Sequence, residues 1–119
     1  MRLTAIVTTS AQPTLEQLFN LCALEATAGA TVRVFFRDES IPAICRPEVA
    51  ASLGVSGAPD PSMLTSLRDS GDVRLYACSS SLYLWGVAVS DLLPEIDGAR
   101  GLIAFLADDL IGSDRIFSY

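Results

Sequence analysis

Short runs of β-branched and aromatic residues alternate along the chain with longer stretches whose apolar residues recur at helical spacing. The apolar runs predict strands at residues 3–8, 31–36, 73–77, 101–104 and 115–119. Strands that alternate with helices are typical of right-handed βαβ units. The pattern therefore predicts an α/β fold, a three-layer α/β/α sandwich with a mostly parallel sheet of about five strands. Residues 1–119 are expected to form a single domain.

The segments between the strands carry helix start and stop signals. Thr14 begins the first predicted helix in a capping box with Gln17, and Gly29 ends it. Asp60, followed by a proline, begins another helix that ends at Gly71. Further helical segments are predicted at residues 40–45, 47–53, 79–87 and 106–111, and the glycine- and proline-containing residues 54–59 are interpreted as a mobile loop.

The ionisable residues exclude several classes of protein. The net charge is −6, all eight basic residues are arginines, and they form no basic run, so no nucleic-acid partner is expected. An acidic surface is a poor match for anionic membranes, and no apolar stretch is long enough to span one. Because histidine and lysine are absent, histidine-dependent hydrolysis, Schiff-base chemistry and a P-loop are excluded.

The three cysteines determine the remaining chemistry. They form no CxxC pair and no histidine accompanies them, so neither a metal site nor a cofactor is predicted. The first residues lack the apolar region of a signal peptide, which favours a cytoplasmic location with free thiols. Cys22 lies on an apolar helix face and is interpreted as a packing residue. Cys45 follows the second strand; packing is the favoured interpretation, and a resolving thiol is the alternative.

Cys78 stands where the third predicted strand ends and a helix begins. The carboxyl ends of parallel strands meet at one edge of a sheet, and the same edge is expected to carry Thr9 and Arg37. The helix start, Ser79, Ser80 and Arg37 would together stabilise a thiolate. The alternative is that Cys78 is a small buried apolar residue, and its position does not decide between the two.

Nearly the whole chain resembles the DsrE/DsrF-like family of sulfur-relay proteins. The segment ATAGATVRVFF is similar to the family's segment of a glycine followed by a strand. The resemblance is most specific in SGDVRLYACSSSLYLWGV and DLLPEIDGARGLIAFLADDLIGSDRIFSY, which contain a strand ending in cysteine, a helix with a later glycine, and a last strand closing on phenylalanine. The turn after the second strand departs from the family, because it reads RDESI where many members have an Asp-Gly-Val type of turn.

The resemblance implies that Cys78 carries sulfane sulfur as a persulfide between donor and acceptor proteins of a sulfur relay. It also implies assembly into a homo-oligomer, a trimer or hexamer, or a hetero-oligomer with related subunits. Members of the family serve sulfur oxidation or tRNA thiolation. We therefore expect a small sulfur-relay protein, an enzyme only in the sense of a sulfurtransferase. Two alternatives stay open: a non-catalytic oligomeric assembly subunit, and a small-ligand or anion-binding module.

Overall fold

Five strands form one sheet in the part of the chain that the computed structural model describes, residues 1–55, 57–58 and 60–119. The strands are β1 (Arg2–Val7), β2 (Thr31–Phe36), β3 (Val73–Cys78), β4 (Gly98–Arg100) and β5 (Arg115–Ser118). Their order across the sheet is β4-β3-β2-β1-β5, and every neighbouring pair is parallel. The predicted α/β fold is confirmed. The predicted loop at 54–59 includes residues 56 and 59, which lie outside the described residues.

Helices connect the strands and lie on both faces of the sheet. They are α1 (Gln12–Thr27), α2 (Pro47–Ser52), α3 (Pro61–Asp69), α4 (Ser79–Trp85) and α5 (Leu102–Phe105), with 3₁₀ segments at Asp38–Ile44 and Val89–Asp91 and a π-helical turn at Leu106–Leu110. α1 begins two residues before the predicted Thr14, because Pro13 fits its first turn and Ala11 is its N-cap. The predicted cap of α3 is present, since the Asp60 side chain accepts the Ser62 N–H.

Alternation along the strands gives the sheet two different faces. Val34 and Phe36 of β2 point towards α1 and α3, where they belong to the larger cluster of buried side chains. Leu15 and Leu18 of α1 are completely buried in the same cluster. Each such side chain contributes about 1.5–3 kcal/mol when it leaves water, so most of the apolar stabilisation lies on this face.

Phe35, between those two residues of β2, points to the opposite face. There it is fully buried in a second, smaller cluster with Cys78 and Phe105. The rings of Phe35 and Phe105 are stacked with their centroids 4.4 Å apart. Ile6 and Tyr76 are partly buried beside them. This face is covered by α5 and the π-helical turn, which together are much shorter than α1; we call these two segments the cover.

The predicted fourth strand is wrong in its position. The chain forms β4 at Gly98–Arg100, and the predicted residues 101–104 mostly belong to α5. Leu102 and Phe105, three residues apart, both pack against the sheet, whereas the intervening Ile103 is exposed. This spacing belongs to a helix, since a strand would place residues 102 and 105 on opposite faces. A run of four apolar residues carries too little periodicity to separate the two.

Candidate functional site

Cys78 is the last residue of β3 and the N-cap of α4, with φ −71° and ψ 120°. Its partner on β4 in the parallel register is Arg100. On the other side, Phe36 pairs with Ala77, so Arg37 follows β2 at the level where Cys78 follows Ala77. The cysteine therefore lies at the carboxyl edge of the sheet, between the ends of two neighbouring strands.

The side chain of Cys78 packs among aromatic rings. The residue is 3% exposed and belongs to the cluster of Phe35 and Phe105. Phe105 also meets the Tyr76 ring edge-on, with centroids 6.3 Å apart. Although Cys78 occupies the N-cap, its sulfur makes no capping hydrogen bond to α4 within the described residues. The resting position of the thiol is therefore beneath α5, rather than against the first amides of α4.

The predicted neighbours of the thiol are at the same edge, but they do not hydrogen-bond to its sulfur. Ser79 and Ser80 are exposed in the first turn of α4. The Thr9 hydroxyl accepts the Ala11 N–H at 3.1 Å, and Arg37 Nε lies 3.4 Å from an Asp38 carboxylate oxygen. Across the residues that the structure describes, none of these four side chains hydrogen-bonds to Cys78. Their predicted role in stabilising a thiolate stays a prediction.

A clamp between α4 and the loop after β2 was missed by the sequence analysis. Asp38 has a φ of 51°, in the left-handed region that few residues other than glycine adopt. Its N–H donates to Ser81 Oγ at 3.0 Å, and its carbonyl oxygen accepts the Trp85 indole N–H at 2.8 Å. Ser81 and Trp85 are four residues apart on one face of α4. A serine and a tryptophan four residues apart, directly after Cys78, are the sequence signal that could have identified this clamp.

Arg100 was missed because β4 was predicted three residues too late. Its guanidinium carbon lies 5.2 Å from the centroid of the Tyr76 ring, and Nη1 donates to Asp109 Oδ2 at 2.8 Å. Partial burial disfavours its charge, but hydrogen bonding and attraction from Asp108 and Asp109 outweigh that effect and raise the pKa of Arg100. A permanent positive charge therefore sits on the same face of the sheet as the thiol.

Asp109 fastens the cover of this face to the sheet. Its side chain is 7% exposed and accepts a hydrogen bond from Arg2 at 2.8 Å in addition to the one from Arg100. Arg33 Nε is 3.8 Å from the same carboxylate. The backbone carbonyl of Asp109 also accepts the buried Thr4 hydroxyl at 3.3 Å. The π-helical turn is thus held by arginines from β1, β2 and β4.

Cys22 and Cys45 are buried on the other side of the sheet, in the larger cluster. Burial, and to a smaller extent Glu25, raises the pKa of the Cys22 thiol to about 12. Burial and Asp91 raise the pKa of the Cys45 thiol to about 11, and its sulfur donates to the Ile41 carbonyl at 3.3 Å. Because Cys45 and Cys78 belong to different clusters, the geometry gives no support to Cys45 as a resolving thiol.

Two further findings concern the described part of the chain. Its Cys, Asp and Glu side chains include no group of three or more placed to hold a metal ion. Its helices include none with the length and apolar character needed to cross a membrane.

The fold and the site together define an α/β protein with a parallel sheet and a thiol at its carboxyl edge, directly before a helix. The sequence profile of the DsrE/DsrF-like family matches residues 1–112, so the chain belongs to that family. The fold is similar to that of MTH1491, a protein of unknown function from Methanobacterium thermoautotrophicum, with a TM-score of 0.77 and 16% sequence identity over 98% of this chain and 97% of that chain. No curated protein matches the sequence.

Proposed function

We propose that the protein is a sulfur carrier of the DsrE/DsrF-like type, with Cys78 as the residue that holds the sulfur. The observation that carries this proposal is the placement of Cys78 at the carboxyl edge of the sheet, before α4, while Cys22 and Cys45 lie in the main core. Open α/β sheets place their chemistry at this edge. Membership of the family supports the same assignment.

The transfer is an exchange between two sulfur atoms. The Cys78 thiolate attacks the outer sulfur of a donor persulfide, forming a new S–S bond, and the donor leaves as a thiolate. The Cys78 persulfide then gives that sulfur to an acceptor thiolate by the same exchange in the other direction. No base or metal is needed for either step, which suits a chain without histidine.

The partners in this proposal are sulfur-relay proteins, one that donates a persulfide and one that accepts it, in the cytoplasm. Because Cys78 is buried against Phe105, the proposal requires α5 to move before a partner reaches the sulfur. Ser79, Ser80, Thr9 and Arg37 line the edge towards which the sulfur would turn. In this proposal the first amides of α4 and these side chains stabilise the thiolate once the sulfur has turned towards them.

Mass spectrometry of the intact protein tests the carrier proposal. The protein is incubated for hours with inorganic polysulfide, and we expect a gain of one sulfur atom that a reducing agent removes. Cys78→Ser should lose this gain, whereas a Cys22→Ser, Cys45→Ser double variant should keep it. A gain that survives Cys78→Ser, or no gain in the wild type, contradicts the proposal.

Exposed apolar side chains favour a second function, that of a subunit in a larger assembly. Tyr83 and Leu84 on α4 are 85% and 81% exposed, and Ile103 on α5 is 82% exposed. Aromatic residues are enriched in interfaces, and exposed apolar patches mark interaction surfaces. Light scattering with Leu84→Arg and Ile103→Arg tests this function, since a monomeric wild type would rule it out. A homo-oligomer is compatible with the carrier function as well.

A further inference from the structure

A surface cleft of about 410 Å³ opens between the loop after β2 and α4. Its lining consists of Asp38, Glu39, Ser81, Leu84 and Trp85. Ser81 lies three residues after Cys78, so the cleft is about one helical turn from the candidate thiol. A molecule bound in the cleft would therefore lie beside the helix that begins at Cys78.

The floor of the cleft offers a hydrogen-bond donor. Ser81 is 4% exposed, and its oxygen already accepts the Asp38 N–H. A serine hydroxyl also carries a proton of its own to donate. Within the described segments, the proton of Ser81 has no acceptor. Buried donors of this kind are normally paired, so the cleft is suited to an occupant with a carbonyl oxygen.

The rim of the cleft is negative. Glu39 is exposed and, across the described residues, makes no ion pair. Asp38 is half-exposed, and Arg37 beside it neutralises part of its charge. The protein as a whole carries a net charge of −6, so its overall charge has the same sign as this rim. A cationic group is the complementary occupant.

The wall of the cleft is apolar and aromatic. The indole N–H of Trp85 is bonded to the Asp38 carbonyl, which fixes the ring at the side of the cleft. Leu84, next to it, is 81% exposed. Guanidinium and ammonium groups bind over tryptophan rings, and an exposed leucine offers contact to a neighbouring apolar side chain.

We propose that this cleft binds a segment of a partner protein that presents an arginine or lysine beside an apolar residue. The inference rests on the proposed function, because it identifies the chemistry by which a sulfur-relay partner is held next to Cys78. The basic side chain lies between Glu39 and the Trp85 ring, the apolar one lies against Leu84, and a backbone carbonyl accepts the Ser81 hydroxyl.

Trp85 is the only tryptophan in the sequence, so its fluorescence reports on the cleft directly. The probe is the peptide acetyl-Leu-Arg-Leu-amide, titrated at low salt against the full chain. We expect a saturable change in emission. The peptide with citrulline in place of arginine, which keeps the shape and removes the charge, should bind about fivefold more weakly, the size of one exposed ion pair. The peptide with glutamate should bind more weakly still.

Glu39→Gln should weaken binding of the arginine peptide about fivefold and leave binding of the citrulline peptide unchanged. Glu16→Gln, an exposed carboxylate on α1, is the matched control and should change neither peptide. Equal binding of the three peptides, or no saturable change in emission, overturns the proposal. Repeating the titration with Cys78→Ser separates the two ideas, since binding should persist there even if the carrier proposal fails.

Discussion

Asp109→Asn is the substitution that best tests how the cover over Cys78 is held. The change keeps the shape of the side chain and removes its negative charge. In the wild type the buried carboxylate accepts hydrogen bonds of 2.8 Å from Arg2 and from Arg100, and Arg33 lies 3.8 Å away. In the variant the amide group faces these guanidinium groups, and an amide NH₂ cannot accept a hydrogen bond.

The expected loss follows from the burial of the groups involved. A hydrogen bond to a charged group contributes about 1.5–3 kcal/mol, and breaking a fully buried ion pair costs about 3–5 kcal/mol. The Arg2 and Arg100 side chains are 31% and 23% exposed, so water compensates for part of the loss. We therefore expect the free energy of unfolding to fall by about 2–3 kcal/mol, which lowers Tm by about 10 °C in a chain of this length.

Urea and thermal unfolding followed by circular dichroism measure this loss. Asp108→Asn is the control, because Asp108 also contacts Arg100 but its side chain is 62% exposed. Exposed pairs of this kind contribute about 1 kcal/mol or less. If the two variants unfold at the same urea concentration, or if Asp109→Asn stays within about 0.5 kcal/mol of the wild type, the arginine contacts do not hold the cover in place.

Three further outcomes are expected. Asp109→Asn should speed alkylation of Cys78 by iodoacetamide about tenfold or more, because each 1.4 kcal/mol removed from the free energy of opening raises the population of the open state tenfold. Gly71→Ala should destabilise the protein by about 1–3 kcal/mol in urea, since its Cβ would lie 2.7 Å from a backbone oxygen in α1. The raised pKa values of Cys22, about 12, and Cys45, about 11, stabilise the folded state fully below the thiols' ordinary value of about 9. That contribution is lost as pH rises towards 11–12. Between pH 8 and 10.5 the free energy of unfolding measured in urea should therefore fall less steeply in a Cys22→Ala, Cys45→Ala variant than in the wild type.

The fold was largely predictable because its strands are strongly marked. β2 and β3 are apolar runs bounded by glycine or charged residues, and their observed limits differ from the predicted ones by one residue or none. β4 was misplaced because it contains just Gly98, Ala99 and Arg100, which carry no apolar pattern. The helical segment after it is more apolar than the strand itself, so hydrophobicity pointed to the wrong element.

The candidate site was predictable in position but not in its contacts. The end of β3 follows from local sequence, so Cys78 was found. Ser81 and Trp85 are identifiable in the helix that follows, but their common partner, the backbone of Asp38, is brought to them by pairing between β2 and β3. Likewise, the position of Phe105 over the thiol depends on where α5 lies, which is a tertiary property.

The burial of Cys78 limits how a carrier could work. Opening the cover exposes Phe105 and Leu102, which costs about 4 kcal/mol, and releases the Asp109 contacts, which costs about 2 kcal/mol more. The open state would then be populated on the order of 10⁻⁴. This is less costly than unfolding the main core, because α1 and α3 stay in place. Free reagents would therefore reach the sulfur slowly, and fast transfer requires a partner that binds the open state more tightly than the closed one. A cleft that holds the partner one helical turn from Cys78 keeps the partner close, but its lining contains no residue of α5, so the energy that offsets the opening comes from contacts that the partner makes only after α5 has moved.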